Sequence, residues 1–153
     1  MASKNIRLGV SAFRSVFRVV VMQSCKQQTA LQLVSQGVVE LRKGVMVLQP
    51  VDHQVLVQEC AVGLNSRDMQ MIHQHMDSYP VTLGCDVSGI VVKVGQGVND
   101  LKEGEEVFGL GIGQGCFAEF LVTTRDRLAR KPHNVSFEQA AAVPSTFLAA
   151  YQG

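Results

Sequence analysis

No run of apolar residues in this sequence approaches the 18 that a membrane-spanning helix needs; Arg18 interrupts the longest early stretch, Val16–Met22. A membrane span is therefore not expected. Charge of one sign is also scarce. The formal net charge is +1, which disfavours nucleic-acid binding driven by bulk charge. Cysteine is present four times, at Cys25, Cys60, Cys85 and Cys116, but never as C-x-x-C, so the zinc-knuckle pattern is missing. A domain of this size needs no disulfide staples, and an intracellular compartment would keep these thiols reduced as small buried hydrophobes. Acid is missing altogether from residues 1–39, which hold Lys4, Arg7, Arg14, Arg18 and Lys26. Residues 1–16 then read either as a tail of accidental composition or as a targeting presequence. The two readings leave the compartment at cytoplasmic or mitochondrial. A secretory signal is not expected, because no clean apolar core precedes a small-residue cleavage site.

What is there is ordinary globular material: 153 residues, 46% hydrophobic and 18% charged, enough to bury a sizeable core. Strand-like runs recur between turn signals. Phe17–Met22, Ala30–Val34, Val45–Leu48, Gln54–Val62, Val87–Val94, Val107–Leu110 and Phe117–Val122 are each predicted as strands. Asn65 opens a predicted short helix, with Asp68 three residues on and Met69, Ile72 and Met76 at helical spacing. Ser136-Phe-Glu-Gln139 is a capping box, and Pro144 breaks or restarts the helix it opens. The pattern predicts a mostly β domain with short helices, an α+β arrangement built on a partly open β-barrel or sandwich.

Three local signals point to chemistry only weakly. Gly113-x-Gly115-x-x-Ala118 fits a dinucleotide fingerprint, but a β-prone run follows where a helix should open, so a flexible hairpin link is the expectation. His73 and His75 stand two apart, which on a helix points them to different faces and disfavours shared metal ligation. No G-x-S-x-G marks a serine nucleophile.

The order of longer blocks says more. Gln54-Val-Leu-Val-Gln-Glu-Cys-Ala-Val-Gly-Leu-Asn-Ser-Arg-Asp68 is followed by Tyr79-Pro-Val-Thr-Leu-Gly-Cys-Asp-Val-Ser-Gly-Ile-Val-Val-Lys-Val-Gly-Gln-Gly-Val98. Then come Leu101-Lys-Glu-Gly-Glu-Glu-Val-Phe-Gly109, Gly115-Cys-Phe-Ala-Glu-Phe-Leu-Val122 and Phe137-Glu-Gln-Ala-Ala-Ala-Val-Pro144. Five blocks in this order resemble the N-terminal, GroES-like domain of the medium-chain dehydrogenase/reductase superfamily, over roughly residues 17–144. The resemblance implies a GroES-like partly open barrel. Residues 145–153 would then begin a linker helix to a Rossmann domain that these 153 residues do not include.

Zinc-dependent members of that superfamily carry Cys near the Asn65 position and His-Glu after the "Leu-Gly"; here stand Asn65 and Cys85-Asp86. The four-cysteine lobe is absent too. The chain thus looks like the zinc-free branch of quinone oxidoreductases and enoyl reductases, and no zinc is expected. The resemblance implies reduction of an enone, enoyl thioester or quinone by hydride transfer. NADPH would be held only together with the missing Rossmann domain, the substrate would be a small molecule, and a full-length protein would form a homodimer. Asn65 is implied as a donor to the developing oxyanion, or else as a plain helix cap. Tyr79 is implied as a proton donor, or else as a packed ring before a proline. Asp68 and Asp86 are placed on the substrate and nicotinamide side, where Asp86 orients a neighbour or satisfies turn amides. Leu148 is followed by Ala149-Ala150 where the family usually has Thr. The chain alone is expected to be inactive; the rival expectation is a non-catalytic interaction module with an exposed apolar face.

Overall fold

The structure is a computed structural model and describes residues 26–152. The strand expected at Phe17–Met22 and the tail at 1–16 lie outside the described residues. Among the described residues, eight strands form two sheets. β1 (Gln27–Ser35), β2 (Val38–Met46) and β4 (Val81–Thr82) make the smaller one, in the order β2-β1-β4. β3 (Gln54–Gly63), β5 (Asp86–Val94), β6 (Glu106–Leu110), β7 (Phe120–Thr124) and β8 (Leu128–Arg130) make the larger, in the order β7-β3-β5-β6-β8, with every neighbour antiparallel.

The larger sheet curls toward closure. Its edge strands β7 and β8 are joined by a single 3-10 turn, Arg125–Arg127, and the Thr123 hydroxyl on β7 donates to the Leu110 carbonyl on β6 at 3.0 Å. The Val-rich middle of the sequence explains the interior. Val55 and Val57 on β3, Val91 on β5, Val107 on β6 and Leu128 on β8 form one buried cluster, completed by Val98 and Leu101 from the loop between β5 and β6. Gly89 has a packing reason: a Cβ there would overlap the Gln58 carbonyl on β3, so only glycine lets the central strands pair. The smaller sheet is stitched on by an isolated bridge between Ala30 and Ala118 and by Leu31 N–H donating to the Phe117 carbonyl at 2.7 Å.

Three helices complete the domain: α1 (Ser66–His73), α2 (Phe137–Ala141) and α3 (Pro144–Gln152). The Ser136 hydroxyl accepts from Gln139 N–H at 3.2 Å, which is one half of the expected capping box, and Pro144 does restart a helix. The Ser88 hydroxyl, fully buried on β5, donates to the Phe137 carbonyl at 2.6 Å and ties α2 to the sheet. No helix among the described residues is long and apolar enough to cross a membrane.

Some boundaries move. The strand expected at Val45–Leu48 is the end of β2, which begins at Val38 and pairs with β1 through a tight turn at Gln36-Gly37, where Gly37 has φ +77°. Nearly all of β2 is solvent-exposed, so Glu40, Arg42 and Lys43 break the apolar alternation that marks a strand. The strand expected at Phe117–Val122 begins only at Phe120, because Phe117 and Ala118 are spent on the other sheet. Helix α1 stops at His73, short of Met76. β4 and β8, of two and three residues, are too short to leave a periodic signal.

Candidate active site

Sheet register brings the site together. Asp86 begins β5 and pairs with Gly63 at the end of β3 on one side and with Leu110 at the end of β6 on the other. The chain leaves β3 at Gly63 and reaches Asn65 two residues later, so Asn65 and Asp86 meet at one end of the sheet. The Asn65 side-chain amide donates to Asp86 Oδ2 at 2.9 Å. Asp86 Oδ1 accepts from Ser145 N–H at 3.0 Å and from the Ser145 hydroxyl. A carboxylate only 1% exposed thereby holds the start of α1 and the start of α3. Asp68 belongs to the same corner. Its Oδ2 accepts from Asn65 N–H at 2.8 Å, while Oδ1 is buried with no hydrogen-bond partner among the described residues. Of the four residues singled out from the sequence, Asn65, Asp68 and Asp86 are thus neighbours. Tyr79 stands apart, half-buried, its phenol oxygen accepting from Met76 N–H at 3.2 Å.

Beside this corner lies a cleft of about 650 Å³. Arg67, Gln70 and Met71 of α1 and Gln74 just after it form one wall; Val81 and Thr82 of β4 and the turn at Ile112-Gly113 form the other, with Cys85 also lining the cleft. Arg67 and Cys85 adjoin Asp68 and Asp86 in the chain, and Met76 and Ser78 lead to Tyr79. Sequence reasoning missed Ser145, Arg67 and Cys85 as parts of this region. Ser145 gives no motif of its own, and the signal available was its place in the first turn after Pro144.

The electrostatics keep the thiols out of chemistry. Burial, seconded by Asp68, pushes the Cys85 thiol up, with Arg67 pulling the other way. Burial and then Glu59 push Cys116 far up, and its thiol donates to the Asp86 carbonyl at 3.3 Å. Both thiols stay protonated at neutral pH and are poor nucleophiles. Glu59 on β3 is the other unusual group. Its two carboxyl oxygens are buried without partners, and burial lifts it to about 9, with the Ala118 backbone pulling down.

The glycine-rich run cannot cradle phosphate. Gly111 N–H donates to the Cys85 carbonyl at 2.7 Å, Gln114 and Gly115 N–H to the Gly111 carbonyl at 3.2 and 3.0 Å, and Cys116 N–H to the Gly84 carbonyl at 3.3 Å. Four of the amides are thus spent on carbonyls of the turn and its neighbours, and no helix follows it. His73 and His75 are exposed, and no group of three His, Cys, Asp or Glu side chains among the described residues is placed to hold a metal.

Comparison with known proteins accords with the geometry. Residues 51–133 match the alcohol dehydrogenase GroES-like domain family. The chain is 38% identical over 131 residues to 2-methylene-furan-3-one reductase of Solanum lycopersicum, covering 78% of this chain and 34% of that protein. It is 38% identical over 128 residues to the chloroplastic NADPH-dependent alkenal/one oxidoreductase of Arabidopsis thaliana, covering 76% and 33%. Among solved structures, the quinone oxidoreductase of Coxiella burnetii superposes with TM-score 0.76 at 28% identity, over 83% of this chain and 44% of that one. The Escherichia coli quinone oxidoreductase complexed with NADPH gives 0.70 at 27% identity, over 80% and 39%. The chain thus spans about a third of the length of the two reductases. By its barrel, its block order and these matches, the chain belongs to the alcohol dehydrogenase GroES-like domain family, the N-terminal domain of the medium-chain dehydrogenase/reductase superfamily, among relatives that are quinone oxidoreductases and enoyl reductases.

Proposed function

We propose that residues 17–144 are the substrate half of a zinc-independent, NADPH-dependent reductase acting on an enone, enoyl thioester or quinone, and that residues 145–153 lead toward a cofactor-binding domain. What carries the reading is one cleft whose wall residues Arg67 and Cys85 adjoin the buried Asp68 and Asp86, in a chain 38% identical to two reductases. NADPH, when bound, supplies the hydride that adds to the β-carbon. The described residues fit only its reactive end. Asp68 Oδ1 is a buried acceptor that a carboxamide N–H would satisfy, whereas the glycine turn spends most of its amides on its own carbonyls and opens no helix toward a phosphate. Asn65 keeps its orientation through Asp86, and its second amide hydrogen is available to the oxygen on which charge develops. Tyr79 receives the Met76 N–H on its oxygen, so its own proton is free to be given to the reduced substrate.

Replacing Tyr79 by Phe is the direct test. In a protein that joins this chain to the rest of a reductase, kcat with an enone should fall about 10²-fold, the low end for general-acid catalysis. An unchanged rate would leave the phenol as packing for the Met76 amide. Elemental analysis should find no stoichiometric zinc, since Asn65, Cys85 and Asp86 replace the ligand set; one tightly held zinc per chain would contradict this.

A second reading rests on α3. Phe147 and Tyr151 stack at 6.3 Å between centroids yet are 61% and 80% exposed. Such a face suits a non-catalytic interaction module as well as a domain contact. NADPH bound and oxidised by the joined protein supports the reductase, and failure to oxidise it with any acceptor supports the module.

A further inference from the structure

The cleft carries a charge that reduction of a neutral enone does not require. Arg67, Gln70 and Met71 follow the i, i+3, i+4 spacing of one helix face, and Gln74, the residue that caps the end of α1, lines the cleft beside them. Of the described residues that line the cleft, Arg67 alone is charged. It enters none of the ion pairs or hydrogen-bonded side-chain networks formed among the described residues, unlike Arg125 and Arg130, which are held by Asp100 and Glu105. The neighbouring carboxylates make their hydrogen bonds elsewhere: Asp86 with the Asn65 side chain and Ser145, and Asp68 with the Asn65 backbone N–H through Oδ2.

A guanidinium stays charged at any working pH and offers a planar fork that matches carboxylate and phosphate oxygens two at a time. The Gln70 and Gln74 carboxamides extend the row of donors along the same wall. Met71, Met76, Val81 and Ile112 give the cleft an apolar part suited to a carbon chain, beside the Ser78 and Thr82 hydroxyls. We propose that Arg67 makes this cleft selective for carbonyl substrates that carry a second, anionic group, a carboxylate or a phosphate, over neutral enones and quinones. This rests on the reductase reading above and narrows its substrate class; it does not depend on catalysis for its test.

The test is a titration of the whole 153-residue chain, read by backbone amide chemical shifts, with three unreactive ketones. These are 2-pentanone, which is neutral, 4-oxopentanoate, which carries a carboxylate, and hydroxyacetone phosphate. At least one of the two anions should bind about tenfold more tightly than 2-pentanone, with shifts at Gln70, Gln74, Thr82 and Gly113, because a charge-assisted bidentate contact is worth that factor. Which anion does so identifies the group. The preference should shrink in added salt, vanish in Arg67→Gln and survive in part in Arg67→Lys. Arg67 is exposed, so overlaid spectra of the variants will report an intact fold. Equal binding of all three ketones in the cleft, or a preference that survives Arg67→Gln, overturns the role of Arg67 and leaves the reductase reading standing. Absence of any shift at the cleft residues with all three overturns both.

Discussion

Replacing Asp86 by alanine is expected to destabilise the domain by about 3–5 kcal/mol, because it strands three donors around a buried site that held a hydrogen-bonded charge. Those donors are the Asn65 amide, the Ser145 N–H and the Ser145 hydroxyl, and they anchor two different helices to the end of the central strand. Some of the loss will be relieved by water, since Asn65 is half-buried and can turn outward. The two single removals on the partner side bracket the effect. Asn65→Ala and Ser145→Ala should each cost about 1–2 kcal/mol, since Asp86 keeps its other contact in each case. Denaturant melts of the three variants measure this. A loss below 1 kcal/mol for Asp86→Ala would show that the corner is held by packing alone.

The second large effect is a dependence of stability on pH. Glu59 has an ordinary value of 4.5 and is lifted to about 9 in the fold. The folded state therefore holds a proton that the unfolded chain has lost throughout that window. Stability is fully present below about 4.5, and it is lost as the pH rises toward 9, by at most about 1.4 kcal/mol per pH unit from this one group. Glu59→Gln removes the titration and keeps the shape. Its melting temperature should match that of the wild type near pH 5 and exceed it progressively up to pH 9. Parallel curves for the two proteins would mean that the Glu59 carboxyl reaches water. The group sits where β3 slips register, opposite Gly89 and beyond the last paired residue of β7. The Ala118 backbone pulls the other way there and does not offset the burial.

Much of the fold is written in apolar period and turn chemistry. The β-branched runs that become β3, β5 and β6 are legible because these strands sit centrally and bury both faces or one. β2 is not legible, because its side chains face water and only Gly37 marks the turn before it. Asn65 and Asp68 are visible as a helix start, and Asp86 only through its place in a block. That Asp86 joins Asn65 to Ser145 depends on register and on a contact spanning 59 residues, which no local pattern encodes. Arg67 shows the converse. In sequence it is one charge in a helix start, and it gains meaning only when the facing wall proves neutral.

On the proposed reading this chain is the substrate side of a hydride-transfer site. Holding donor and acceptor carbons ~3–3.5 Å apart supplies much of the rate in such reactions, and no phosphate cradle stands among the described residues. The decisive measurement joins residues 17–153 to the remainder of the Escherichia coli quinone oxidoreductase chain and follows NADPH oxidation with 1,4-benzoquinone, (E)-3-penten-2-one and (E)-4-oxo-2-pentenoate, beside the 153-residue chain alone. The joined protein should bind NADPH and turn over at least one acceptor, and the chain alone should not exceed the uncatalysed rate. A joined protein that binds NADPH and leaves all three acceptors untouched, or robust turnover by the chain alone, would contradict the account.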